Sequence, residues 1–221
     1  MTIFKFLGNT ISFGLFTILL FLTKSCFYYE DMTHLTDEEL QWMDCVEKYP
    51  KPRFVSPLGD TANMIYEELI IRNDTSRFHF KLTSNYMTSY EAHAYYSYHL
   101  STGADDISGL LWIEKPVESN LLVVWGSLNH FSTHKNKNSR DTFIPLKPVN
   151  TIIDSIRYDH CLVFDTLNAH YNHIAGPGTK NKIDKFIINR KHGLMYYSYA
   201  DGREYFRILE DTLVSRLKLK K

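Results

Sequence analysis

Cysteine is nearly missing: Cys26, Cys45 and Cys161 are the only three in 221 residues. That is too few for the multi-bridge framework of small secreted domains. Net charge is missing as well, with 25 basic residues against 25 acidic ones. Such a balance argues against a nucleic-acid binder, because the phosphate backbone selects basic surfaces. No Gly-x-Ser-x-Gly occurs, and Gly176-Pro177-Gly178-Thr179-Lys180 lacks the spacing of a phosphate loop. A long apolar run is also absent. Thr10 to Thr23 is uncharged, but as a helix its about 14 residues span only roughly 21 Å, short of the roughly 30 Å bilayer core.

What the chain does have is an address. Lys5 precedes the apolar run, and small residues Thr23 and Ser25 flank Lys24 after it. A basic start, a short apolar stretch and a small-x-small site make residues 1–25 read as a cleaved secretory signal. The alternative is a single-span anchor: if Phe6 to Thr23 all enters the membrane, about 18 residues give roughly 27 Å, which a thinned bilayer accepts. Removing the leader takes away Lys5 and Lys24 and no acid, leaving a small negative charge.

The residue after the cut is Cys26, and the stretch resembles a lipoprotein box in which Cys26 is acylated. Residues 26–35 then form a tether. Glu30-Asp31 resembles the export signal that sends Bacteroidetes-type lipoproteins to the cell surface. The expected location is the cell envelope, at the outer membrane or cell surface, with the membrane as a partner through the lipid. Cys45 and Cys161 remain as a possible pair, since an exported setting permits disulfides. The other reading of Cys161, inside the apolar run His160-Cys161-Leu162-Val163-Phe164, is a buried inert thiol.

Residues 36–209 read as one β-rich domain, followed by a basic tail at 210–221. Thr36-Asp37-Glu38-Glu39 is a capping box, and Leu40, Met43 and Val46 continue it at helical spacing for about three turns. Pro50 and Pro52 end that helix. Beyond it lie short β-branched and aromatic runs at 53–56, 63–72, 78–83, 92–100, 109–114, 121–128, 141–145, 151–157, 161–166, 185–189, 194–199 and 204–209. Pro, Gly, Asn and Asp separate most of them at hairpin spacing. The predicted fold is mainly β, an antiparallel β-sandwich or a curved sheet or partial barrel, with one short N-terminal helix. Asp201-Gly202 is a type I′ hairpin signal, and with Lys191-His192-Gly193 it predicts a C-terminal three-stranded meander. The 110–113 and 121–125 runs are apolar on both faces and belong mid-sheet. His130 to Arg140 reads as an exposed loop.

Leu35-Thr36-Asp37-Glu38-Glu39-Leu40-Gln41-Trp42, Arg53-Phe54-Val55-Ser56 and Gly59-Asp60-Thr61 together resemble a group of uncharacterised Bacteroidetes lipoproteins. Lys191-His192-Gly193-Leu194-Met195-Tyr196-Tyr197 with Asp201-Gly202 resembles the C-terminal hairpins of that group. The resemblance implies a location and a β-rich fold, and no activity or catalytic residue. Asp60-Thr61-Ala62, Asp154-Ser155-Ile156, Asp165-Thr166-Leu167 and Asp211-Thr212-Leu213 resemble the O-glycan acceptors of those bacteria.

Candidate chemistry is sparse. His170-x-x-His173, with Asp165 upstream, is the densest candidate metal site. Zinc needs three or four ligands, so His160 or His192 would have to join. On a strand, neighbours face opposite ways, so His160 cannot readily activate Cys161. Tyr95-Tyr96-Ser97-Tyr98 and Tyr196-Tyr197-Ser198-Tyr199 put aromatics on both faces, either as sheet packing or as a row for a sugar or protein partner. The sequence implies no cofactor and no catalytic residue. It points to an exported, lipid-anchored protein with a binding or structural role. The alternatives are a small metal-dependent enzyme at His170 and His173, or an immunity-type protein that binds another protein in the periplasm.

Overall fold

A computed structural model describes residues 32–73, 90–103, 106–133, 147–171 and 182–209, with the backbone alone at 170–171. The expected leader, Cys26, the expected strands at 78–83 and 141–145, His173 and the tail from 210 lie outside the described residues.

The capping box forms as the sequence predicts. The Thr36 amide donates to Glu39 Oε2 at 2.7 Å, and the Glu39 amide donates to Thr36 Oγ1 at 3.2 Å. The helix it starts is interrupted: α1 (Asp37–Leu40) and α2 (Cys45–Lys48) are single turns joined by a tighter turn in which the amides of 42–44 bond three residues back instead of four. Trp42, Met43 and Cys45 are buried against the sheet all the same. Burying each large apolar side chain contributes about 1.5–3 kcal/mol, so packing holds this segment where an isolated helix of its length would melt.

Among the described residues, twelve strands follow in one antiparallel sheet. They are β1 (Arg53–Val55), β2 (Thr61–Arg72), β3 (Ala92–Ser101), β4 (Asp106–Lys115), β5 (Val123–Leu128) and β6 (Phe131–Ser132), then β7 (Val149–Ile153), β8 (Ile156–Asp165), β9 (His170–Tyr171), β10 (Ile183–Asn189), β11 (Gly193–Tyr199) and β12 (Glu204–Arg207). Their order is β7-β8-β10-β11-β12-β1-β2-β3-β4-β5-β6-β9. The first strand therefore pairs with both the second and the last, which draws the two ends of the described chain together mid-sheet. β10, β11 and β12 form the expected meander.

Of the two architectures the sequence allowed, the structure is the curved one, a half-barrel. The sheet curls until β5 and β6 face β8 and β10. Phe164 and Phe186 stack at 4.2 Å, and Phe131 meets Phe186 at 6.2 Å. Gly126 of β5 makes that approach possible, since a Cβ there would lie 2.8 Å from the Phe164 ring. The concave face holds the main core, including Phe54, Met64, Tyr96, Tyr98, Leu111 and Tyr197. Alternation on β3 is strict, with every second residue from Ala92 buried, as period-2 geometry requires. At one end, Lys115 and Glu39 form a well-covered ion pair at 3.2 Å. Asn73 and the Leu35 backbone exchange two hydrogen bonds there.

Three local expectations change. The run 151–157 is two strands, because Asp154 and Ser155 both take positive φ (49° and 66°) and make a tight hairpin turn. The stretch 129–133 is another hairpin: Asn129 and His130 turn at φ 48° and 66°, and buried Phe131 and Ser132 form β6. The 201–202 hairpin exists, yet only Gly202 has positive φ, at 89°. With the Gly202 amide bonded to the Tyr199 carbonyl, this is a type I turn closed by a glycine bulge instead of type I′.

Cys45 and Cys161 do not pair. Both are buried free thiols. Cys45 belongs to the concave core, whereas Cys161 packs with Ile153, Ile187 and Met195 in a second cluster. The alternation of β8 and β10 puts that cluster on the opposite face.

Candidate functional site

Two adjoining clefts open where the α1–α2 segment meets the ends of β1, β8, β10, β11 and β12, and Lys48 and His192 line both. Local backbone geometry builds the junction. Asn189, buried at the end of β10, accepts from the Lys191 and His192 amides at 3.0 and 3.1 Å. Its own amide donates to the Asp159 carbonyl at 2.7 Å. One side chain thus fixes both the 190–192 turn and the irregular stretch of β8 at 159–161. His160 takes φ 56° there, which turns its ring outward while Cys161 stays buried. The His192 ring sits against Tyr49 at 5.5 Å and Tyr158 at 6.3 Å.

The clefts differ in charge. The first, of 490 Å³, is lined by Lys48, Arg157, Arg190 and Lys191 with Asp44 and Asp159. Its cations are largely answered. Lys48 pairs with Asp44 at 2.7 Å, Arg157 with Asp159 at 3.5 Å, and Arg190 with Glu38 at 2.8 Å. The second, of 650 Å³, is lined by Lys48, Lys51, Arg53 and Arg207, with no carboxylate among the described residues. Among the described residues Lys51, Arg53 and Arg207 make no ion pair with an acid.

Arg207 is the unusual member. It ends β12 in register with Phe54 of β1, at an inward position of an alternating strand. It is only 7% exposed. Its Nε has no hydrogen-bond partner, and one terminal nitrogen reaches the Leu194 carbonyl at a long 3.4 Å. The guanidinium lies 4.8 Å over the Tyr49 ring. Such a contact returns about 0.5–2 kcal/mol, whereas taking a lone cation out of water costs several kcal/mol. Burial accordingly pulls the Arg207 pKa below its ordinary value, with Tyr66, Cys45 and Tyr96 acting the other way. An arginine side chain nonetheless stays protonated in proteins, so the protein holds a desolvated positive charge at the edge of this cleft.

Beneath it lie Cys45, Tyr66 and Tyr96. Burial raises the Cys45 pKa, and the Tyr66 and Tyr96 hydroxyls only partly offset this. The thiol stays neutral, and a buried neutral thiol is a poor nucleophile.

The outer face of the sheet carries a separate aromatic row. Ile70, Tyr95, Trp112 and Trp125 are in register across β2, β3, β4 and β5. Tyr95 and His93 stack on Trp112 at 4.7 and 4.9 Å, and Trp125 stacks on it at 5.4 Å. Trp112 therefore has neighbours on both ring faces, and these are the faces a sugar would need. Each stacked pair contributes about 0.5–1.5 kcal/mol beyond burial, so the row stabilises the sheet. Tyr96, Tyr98, Tyr197 and Tyr199 point into the core.

Of the four histidines that would make a metal site, His160 and His192 line the first cleft together. His170 is on β9, which pairs with β6 and of which the backbone alone is described, and His173 is outside the described residues. Among the described residues no three metal-ligating side chains come together, and no helix is long and apolar enough to cross a membrane. Thr61, Ser155 and Thr166 of the three described Asp-Ser/Thr tripeptides are exposed. Sequence reasoning passed over Lys51, Arg53 and Arg207. Its one available signal was an arginine in phase with Tyr205 on an alternating strand.

Fold and site together define a curled antiparallel half-barrel with a cationic cleft at its rim. Comparison with known protein families, curated proteins and solved structures finds no match to the chain.

Proposed function

We propose that the chain is an exported envelope protein, lipid-anchored at Cys26, that works by binding an acidic ligand in the second cleft. One observation carries the reading. Lys51, Arg53 and Arg207 gather in one cleft with no acidic partner among the described residues, although the chain as a whole has zero formal charge. Like charges repel, so folding alone gives no reason to collect them. A cleft walled by low-dielectric protein focuses such charge on an anion. Its 650 Å³ suits a small molecule or the end of a glycan, with Tyr49, Pro50 and Pro52 as the less polar wall. The leader and Cys26 support the envelope half of the reading, because an apolar run that short favours removal over permanent insertion.

One experiment tests both halves. Membranes from cells making the wild type or C26S are incubated with labelled oligogalacturonate or with its uncharged methyl ester. The acid sediments with wild-type membranes, and the ester does not. With C26S both the protein and the bound label move to the soluble fraction. Equal retention of acid and ester, or C26S remaining in the membranes, would contradict the proposal.

A further inference from the structure

Three of the four cations of the first cleft are already paired with acids, and Trp112 at the centre of the outer aromatic row is stacked by its neighbours. Arg207 is different, because its charge is buried and nothing described in the chain neutralises it. We propose that the Arg207 guanidinium anchors an oxyanion subsite at the inner end of the second cleft, taking one phosphate, sulfate or carboxylate group of the ligand on its planar fork. The inference rests on the cleft being an acidic-ligand site, and it adds the chemistry of the group that enters first.

Three features converge on that assignment. Arg207 is 7% exposed and lines the cleft, its Nε lacks a partner, and Tyr49 holds the guanidinium from one side at 4.8 Å. Nε is itself enclosed, so the terminal in-plane N–H groups, of which one reaches only the Leu194 carbonyl at a long 3.4 Å, are the donors left to make the paired bonds to an oxyanion. A lysine would offer a point charge without that fork. Lys51 and Arg53 are exposed and act from the mouth, drawing the anion in without desolvating it. The volume of 650 Å³ exceeds a bare ion, so the ligand carries a further body that rests on Tyr49, Pro50 and Ile208.

The test is thermal unfolding and titration of the full chain in neutral detergent, at constant ionic strength, with chloride replaced by inorganic phosphate or by galacturonate. Either acid raises the wild-type midpoint. R207M unfolds in chloride at the wild-type midpoint or above it, since an uncompensated buried charge is gone, and it gains nothing from either acid. R207K keeps the charge without the fork and binds at least tenfold more weakly, which serves if R207M does not fold. Galacturonate binding as tightly as its oligomer marks a free acid as the ligand, and a tenfold tighter oligomer marks a glycan end; both agree with the subsite. Glu210 and Asp211 follow β12 outside the described residues. If E210Q/D211N abolishes the response as R207M does, the chain supplies its own counter-ion and the subsite is refuted. Wild-type affinity in R207K, or full shifts in R207M, refutes it too. If neither acid shifts the wild type while oligogalacturonate still binds, the subsite falls and the broader reading stands. Loss of oligogalacturonate binding in the wild type removes both.

Discussion

The full chain carrying K51E and R53E binds oligogalacturonate at least tenfold more weakly than the wild type at low salt. Both side chains are exposed at the mouth of the second cleft. Across roughly 8 Å of water a unit charge pair is worth about 0.5 kcal/mol. Reversing a charge removes that attraction and adds a repulsion of similar size. Two reversals therefore cost about 2 kcal/mol, or roughly thirtyfold in affinity. Salt erodes the difference, because the screening length falls to about 8 Å at physiological ionic strength. The fold is expected to stay within about 0.5 kcal/mol of wild type, as for surface substitutions that touch nothing. Titration calorimetry at two salt concentrations checks this. Affinity that is unchanged in the variant, or equally salt-sensitive, would place the binding elsewhere.

Gly193→Ala lowers the thermal midpoint by about 10 °C. Gly193 begins β11 with φ 74°, and a Cβ there would lie 2.8 Å from Tyr66 Oη and 2.9 Å from Cys45 Sγ. A left-handed alanine costs about 1 kcal/mol, and forcing a methyl into a packed core adds about 1–3 kcal/mol. Each kcal/mol moves the midpoint of a domain this size by about 2–4 °C. Gly202→Ala is the control. It has φ 89° and no atom within 4 Å of a new Cβ, so it pays the backbone cost alone and falls by only about 2–4 °C. Equal losses in the two variants would mean that the Cys45–Tyr66 contact does not constrain the rim. The contact matters to the cleft because Gly193 joins the Asn189-pinned turn to the strand that leads towards Arg207.

Much of this fold is legible in the residues. The Thr36-Glu39 capping box, the alternation of Ala92 to Leu100 and the meander around Asp201-Gly202 are local patterns, and each forms. Two of the hairpin turns escape because Asp154-Ser155 and Asn129-His130 lack the glycine that usually marks positive φ. Sheet order is invisible for a different reason. β1 pairs with β12, a contact between chain ends that no local pattern encodes. The choice between a sandwich and a curled sheet likewise depends on Gly126 admitting Phe164 across the barrel, which is a tertiary event. The site was harder still. Lys51 and Arg53 read as ordinary surface charge until β1, β12 and the Tyr49 turn converge. Arg207 shows its burial only once β12 has an inward face.

The most direct test is an amide and side-chain NMR map of the isotope-labelled full chain, in neutral detergent, titrated with oligogalacturonate. Perturbed signals confined to Lys48–Arg53, the 190–193 turn and 207–209 are the predicted result. Perturbations centred on Tyr95, Trp112 and Trp125, or none at saturating ligand, would contradict the account.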